Sequence, residues 1–473
     1  MNSTSNTAVA ATRYLTGWEA WVARLETTLH QTVQCAADGM GHLEEQLAAG
    51  TCELQREALE RAAQAQADAT PPRCPLCGHP LTRRQRDHAR TVTTRFGPVT
   101  IRRTRGWCAR CQQWRFPADV ALRLDATSTA SPAVQEAAAL LVAQMPAAEA
   151  AAILERLTAI RCDPSTLARE ARRQGERGHA HREAMNAVFN DWDSLVAAAQ
   201  RAATEVPAIP FTLVIEIDAW NIRERDGWGQ TAALTHAGQP PSRWHWVYGA
   251  TVFRLDQRGQ TAGGRPLISE RAYVMTRGGV DTLRTLLWAE AMRRGLAQAA
   301  HVLVVADGAV WIWNLVADRF GEAHQLLDYY HASQHLWVVA AALHGEGTRE
   351  ARQWVEPLLK QLRGGQAAKV IRRLEQLEWR CGSAAAETVG RERRYFENHR
   401  QRLDYATAAA QHWPLGSGAM ESSCRQYQCR FKRPGQFWSA AGDEALLVLQ
   451  EYWRNGRWAQ LFPHMGCANP SLN

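Results

Sequence analysis

Two hydrophobic stretches of this chain each end on an aspartate. Phe211 to Asp218, FTLVIEID, is a run of β-branched and apolar residues whose only charges, Glu216 and Asp218, lie near its C-terminal end. His301 to Gly308, HVLVVADG, repeats the arrangement, with Asp307 set just before a turn into the helix-like WIWNLVADRF. Both stretches read as buried strands, and open α/β folds gather their chemistry at the carboxyl edge of such strands. Two carboxylates side by side in low dielectric repel each other, and a bound divalent cation is the simplest compensation. Either aspartate alone reads more simply as a polar strand terminus or a helix cap; the repetition is what points to a metal.

A second cluster has a different chemistry. Cys74-Pro75-Leu76-Cys77 and Cys108-Ala109-Arg110-Cys111 are two C-x2-C knuckles separated by 30 residues, between which TVTTRFGPVTIRRTRGW alternates in a strand-like way around a Gly97-Pro98 turn. Four thiolates presented by a β-hairpin suit one closed tetrahedral zinc site, which would supply stability that so small a module lacks. Four buried structural cysteines without metal are the plainer alternative, and His79 and His88 are less favoured ligands. Arg83, Arg84, Arg86, Arg90, Arg95, Arg102, Arg103 and Arg105 flank the hairpin and would give it a phosphate-binding face.

A third constellation lies near the C-terminus, in AMESSCRQYQCRFKR. Met420, Cys424, Tyr427 and Phe431 form an apolar stripe at helical spacing, and Glu421, Arg425, Gln428 and Lys432 form an adjacent polar one. One carboxylate and two cations would then face the same way, as a DNA-contacting surface or as a solvated helix face.

The elements that must position these groups follow in order. Residues 1–70 carry helical spacing at Trp18, Trp21, Val22, Leu25 and Leu29 and then a polar run up to Pro71-Pro72, which reads as helices and a linker. The zinc-ribbon module spans 71–125. Residues 126–205 are helical, and Asp163-Pro164 opens an Arg-rich helix, so the segment is either a helix-turn-helix or a solvated amphipathic linker. Residues 206–340 carry HWVYGATVF and ISERAYVM after the first Asp strand, then a helix, the Asp307 strand, a helix, and the short strand HQLLDYY. Residues 341–410 are helical and charged without a strand, and 411–473 hold the Glu421 helix. The fold class is α/β, with a mixed sheet and helices.

Composition is consistent with this plan. A chain of 473 residues with 46% apolar residues is globular and long enough for several domains. The formal net charge of +8 is concentrated, since twelve Arg face only Asp87 and Asp119 between Arg73 and Arg123. Such a local excess is the footprint of a nucleic-acid surface. Eleven Cys and no charged-then-apolar leader fit a reducing cytosol, and no uncharged apolar run approaches a membrane span. A cytoplasmic, nucleoid-associated protein is expected.

The strand order, with Asp on the first and fourth strands, resembles the ribonuclease H-like fold of nucleases, integrases and transposases. IEIDAW, VVADGA, LLDYYHASQHLW and GSGAMESSCRQYQCRFKRPGQFWS are similar to the corresponding stretches of bacterial insertion-sequence transposases of the DDE class, nearest the Kra-type group and more distantly the Mutator-like elements. The resemblance implies that Asp218, Asp307 and Glu421 are a catalytic triad holding two Mg²⁺, or Mn²⁺, inside a ribonuclease H-like domain interrupted by a helical insertion. It further implies that Asp328 and His331 form an accessory Asp-x-x-His signature. Metal-dependent cleavage and strand transfer at the ends of an insertion sequence would follow. The partners would be double-stranded DNA at terminal inverted repeats and target DNA, bound by a homo-oligomer. Arg83, Arg84, Arg86, Arg102, Arg103, Arg105, Arg425 and Lys432 are the expected DNA contacts. A zinc-ribbon regulator without catalysis and another ribonuclease H-like DNA nuclease are the alternatives.

Overall fold

A computed structural model of the chain describes residues 18–34 and 39–463, apart from 159, 192, 195, 198–199, 201–208, 226, 228, 241 and 265. The outer ends of the first and last expected segments lie outside the described residues. Two compact units divide at Gln174/Gly175, within helix Pro164–Ala187 and inside the segment expected to be a separate helical region.

In the first unit, helix Met40–Ala69 runs to the Pro71-Pro72 boundary, so the polar run expected as a linker is helical. Its packing explains why. The strands are β1 (Thr82–Thr94), β2 (Gly97–Cys108) and β3 (Gln113–Arg115), in the order β1-β2-β3. The Gln64 side chain on the helix donates to the Arg102 carbonyl at 3.0 Å and accepts the Arg102 amide at 2.9 Å. A helix amide thereby satisfies backbone groups that the hairpin alone would leave open. The hairpin turn is Arg95-Phe96, two residues earlier than the Gly97-Pro98 turn read from the sequence. Gly97, at φ 105°, starts β2 with a backbone that favours glycine. Val92, Val99 and Ile101 are its buried face. Helices Pro132–Gln144 and Ala147–Thr158 follow. Ser131 caps the first through Val134 N, and Asp163 accepts the Ser165 amide at 2.8 Å at the start of Pro164–Ala187.

The second unit is built on β4 (Thr212–Glu224), β5 (Arg243–Arg254), a small ribbon of β6 (Arg258–Gln260) and β7 (Pro266–Ile268), then β8 (Arg271–Thr276), β9 (His301–Ala306) and β10 (His324–Leu327). The mixed five-stranded sheet has the order β10-β9-β4-β5-β8, with β4-β5 and β5-β8 antiparallel and β4-β9 and β9-β10 parallel. Helices Val280–Arg293 and Val310–Arg319 flank it, and Leu213, Ile215, Val252, Leu303, Val305, Leu287 and Ile312 are buried in the shared core. Helix Tyr329–His344 runs through the expected boundary at residue 341, and the chain breaks at Gly345–Thr348 instead. Four further helices, Arg349–Arg363, Ala367–Glu378, Ser383–Asn398 and Tyr405–Ala410, complete a strand-free segment before the Glu421 helix, Gly418–Phe431. Among the described residues, no helix is long and apolar enough to cross a membrane.

Candidate functional site

The register of the parallel pair brings the two aspartates together. β9 pairs with β4 as far as Ala306↔Ile217, and Asp307 and Asp218 are the next residue on each strand. Asp218 therefore sits in mid-strand, not at the strand end expected from the sequence. It is the neighbouring strand that stops, while β4 continues to Glu224 on its pairing with β5. Opposite Asp218 stands Gly249, where a Cβ would collide with the Met275 and Met420 side chains. At the turn after Asp307, Gly308 leaves room for the Tyr395 ring, which a Cβ would strike.

Short backbone bonds orient both carboxylates: Asp218 Oδ1 accepts the Ala219 amide at 2.7 Å and Asp307 Oδ1 the Ala309 amide at 2.9 Å. Burial raises the Asp218 carboxyl to about 6 against the pull of the Ala219 amide, and the Asp307 charge reinforces the rise. The His331 charge and the Cys424 thiol act in the opposite direction. Cys424 Sγ donates to Asp218 Oδ2 at 3.7 Å, and burial together with that negative charge keeps the thiol protonated.

Two other buried acids seat the Glu421 helix. Glu216 lies two residues before Asp218 on the same strand face, and its Oε2 accepts the Met420 amide at 2.7 Å. Burial raises this carboxyl to about 8, the Asp328 charge adding to the effect and the Met420 amide opposing it. Asp328 has both jobs of a clamp. Oδ1 caps helix Tyr329–His344 by accepting the Tyr330 and His331 amides at 2.6 and 3.0 Å, and Oδ2 accepts the Ser417 amide and hydroxyl, each at 2.6 Å. The Asp-x-x-His spacing thus has a local cause: Asp328 is the helix cap, and the amide of His331, in the first turn, is one of the two that it accepts.

Glu421 stands in the first turn of its helix, 39% exposed and 3.7 Å from Arg425, which is 81% exposed. The apolar stripe Met420, Cys424, Tyr427 and Phe431 is buried as expected. Lys432 is the C-cap of the helix, and its ammonium donates to Asn221 on β4 at 3.0 Å. Asp218 and Asp307 are thus adjacent and Glu421 lies one turn from Cys424. Among the described residues the three acids do not converge as tightly as the cysteines do.

The four cysteine sulfurs, Cys74, Cys77, Cys108 and Cys111, all lie within 4.8 Å of one another. Cys74 to Cys111 is 3.8 Å and Cys77 to Cys108 3.5 Å, far beyond a disulfide. A tetrahedron of Zn–S bonds of about 2.3 Å has sulfur–sulfur edges of about 3.8 Å, so the set is positioned to bind a metal such as zinc. The Cys74 thiol is held down at about 6: burial raises it, but the Cys77 and Leu76 amides outweigh that. His79 and His88 are not part of the group; His88 bonds Gln85 at 3.3 Å and packs edge-on against Phe116.

The hairpin arginines divide into two sets. Arg83, Arg84, Arg86 and Arg102 are exposed, and Arg84, Arg86 and Arg102 line a groove beside Gln64, Thr70 and Pro117. Arg103 reaches the same groove but is largely buried, paired with Asp119 together with Arg90 and lying 4.2 Å above the Phe116 ring. Arg105 stacks 4.7 Å over Trp114 and donates to Gln85 at 2.6 Å.

Sequence reasoning marked Glu216 as a charge beside Asp218 but gave it no role, and it missed Ser417 and Tyr395 at this site. Only Glu216 carried a signal, a carboxylate inside an apolar strand, in phase with Asp218. No family model matches the chain, and no curated protein matches it either.

Proposed function

We propose that the second unit is a DDE transposase core that cleaves and joins DNA strands with divalent metal. The observation that carries this reading is the side-by-side position of Asp218 and Asp307 where β9 ends against β4, with two buried acids seating the Glu421 helix beside them. The donors are hard oxygens on two strand positions and a first helical turn, which suits Mg²⁺ or Mn²⁺. When bound, the cations would activate the attacking oxygen and neutralise the leaving one.

The chain's own residues have separate tasks. Asp218, Asp307 and Glu421 would hold the cations. Glu216 and Asp328 keep the Glu421 helix in place, while the Cys424 thiol holds Asp218 in orientation and a protonated His331 would favour its charged form. Arg425 and Lys432 would take backbone phosphates, and the exposed hairpin arginines of a zinc-bearing first unit would engage the inverted repeats. Phosphodiester attack by water, and then by the freed 3′-hydroxyl, needs only this positioning and charge neutralisation. Purified protein incubated with DNA flanking its own gene tests the reading. Mg²⁺-dependent nicking followed by joining supports it, nicking without joining favours another nuclease of this kind, and DNA binding without cleavage favours a regulator.

A further inference from the structure

The sheet has an aromatic extension that the acid site does not use. β4 and β5 remain paired out to Glu224↔Arg243, whereas β9 pairs no further than Ile217 and β8 no further than Tyr248. Residues 219–224 and 243–247 therefore continue as a two-stranded ribbon with unlike faces. On one face Trp220, Ile222, Glu224 and Val247 are buried: Trp220 packs on Phe431 with ring centroids 5.8 Å apart, and Glu224 accepts Arg277 at 2.6 Å. These anchors make the ribbon a fixed part of the unit. The other face carries Asn221 opposite Trp246 and Arg223 opposite Trp244, and register partners in an antiparallel pair share a face. Trp244 is 61% and Trp246 53% exposed.

The surroundings of these rings are cationic. The Arg223 guanidinium lies 6.0 Å from the Trp244 ring and 5.0 Å from Phe437, Arg225 lies 4.0 Å from Phe437, and the Lys432 ammonium is bonded to Asn221. Asn221 is three residues beyond Asp218, about 10 Å along the strand and on the opposite side of its pleat, so the strand that reaches the rings would pass from the acid site over the edge of the ribbon. Exposed rings on one strand with cations beside them on the neighbouring strand and loop match the chemistry of unpaired nucleotides, whose bases stack on aromatic faces while their phosphates meet positive charge. A duplex hides those base faces.

We propose that Trp244 and Trp246 are a stacking platform for unpaired nucleotides of a DNA strand, with Arg223, Arg225 and Lys432 on its phosphates. The inference rests on the strand-cleavage reading for where that strand comes from, namely the opened DNA beside Asp218. Binding can be tested apart from chemistry. Full-length protein is titrated, without added Mg²⁺, against labelled oligothymidylate and a labelled duplex of equal length, followed by fluorescence anisotropy. Changing both Trp244→Ala and Trp246→Ala should weaken single-strand binding about tenfold to a hundredfold and change duplex binding less than about twofold. The Trp244→Phe and Trp246→Phe pair should recover most of the loss, because a flat ring remains. Unchanged single-strand binding, or an equal loss on duplex, would overturn the platform. A selective single-strand loss in a protein that never cleaves DNA in Mg²⁺ would keep the platform and sink the strand-cleavage reading.

Discussion

Replacing Glu216 with Gln isolates the carboxyl that ties the Glu421 helix to the Asp218 strand. Glu216 is 1% exposed and accepts the Met420 amide at 2.7 Å. Burial raises its pKa from 4.5 to about 8, with Asp328 adding to the rise and the Met420 amide opposing it. The unfolded chain releases this proton near 4.5 and the folded chain near 8, so folding takes up a proton in the window between. The group's contribution to stability is therefore whole below about pH 4.5 and lost as the pH rises through about 8, at about 1.4 kcal/mol per pH unit. From about pH 5 to pH 7 the loss is roughly 3 kcal/mol, and over the full window roughly 5 kcal/mol. Glutamine keeps the shape and an oxygen for the Met420 amide but takes up no proton. Relative to the parent, Glu216→Gln should gain roughly 3 kcal/mol of stability between about pH 5 and pH 7 and level off above about pH 8. Denaturant titrations across that range measure the difference. Mg²⁺-dependent cleavage near neutral pH should persist, since the helix remains tied. A stability difference constant to within about 0.5 kcal/mol would refute the burial argument, and lost cleavage in a stably folded variant would refute the positioning role.

Asp328→Ala removes a helix cap and leaves the Ser417 amide and hydroxyl unpartnered in a buried site, so it should cost about 2–4 kcal/mol in thermal or denaturant unfolding; a loss under about 1 kcal/mol would mean that the clamp is not used. Asp218→Ala and Asp307→Ala should each abolish strand cleavage while DNA binding holds, and Asp218→Ala should unfold no more easily than the parent near neutral pH because it removes a carboxylate destabilised by burial; cleavage close to the parent rate counts against both roles. Residues 65–125 in the purified chain should hold one equivalent of zinc, with Cys74→Ser or Cys108→Ser lowering it; metal analysis giving less than about half an equivalent in the parent would count against the site. Arg425→Ala and Lys432→Ala should each make the salt dependence of DNA binding shallower by about one phosphate contact, which titrations at several salt concentrations will read.

Local pattern was enough for the parts whose physics is local. Two C-x2-C knuckles around an alternating segment specify a hairpin that brings four sulfurs together, because a closed metal site and a short ribbon both depend on near neighbours in the chain. Periodicity divided the faces of the Glu421 helix correctly, since the apolar stripe at 420, 424, 427 and 431 is set by 3.6 residues per turn. Tertiary structure decided what depends on partners distant in sequence. That Asp218 lies in mid-strand follows from the pairing of β4 with β5 out to Glu224↔Arg243, which no residue near Asp218 encodes. The linker before Pro71 is a helix because Gln64 meets the Arg102 backbone 38 residues away. Arg103 and Arg105 looked identical to Arg83 and Arg86 in sequence, and only packing against Asp119, Phe116 and Trp114 turned them from the exposed set. Glu216 and Asp328 read locally as residues of the strands FTLVIEID and HQLLDYY; their hold on the Glu421 helix spans 204 and 89 residues, and arises because a buried carboxylate must find donors wherever the fold brings them.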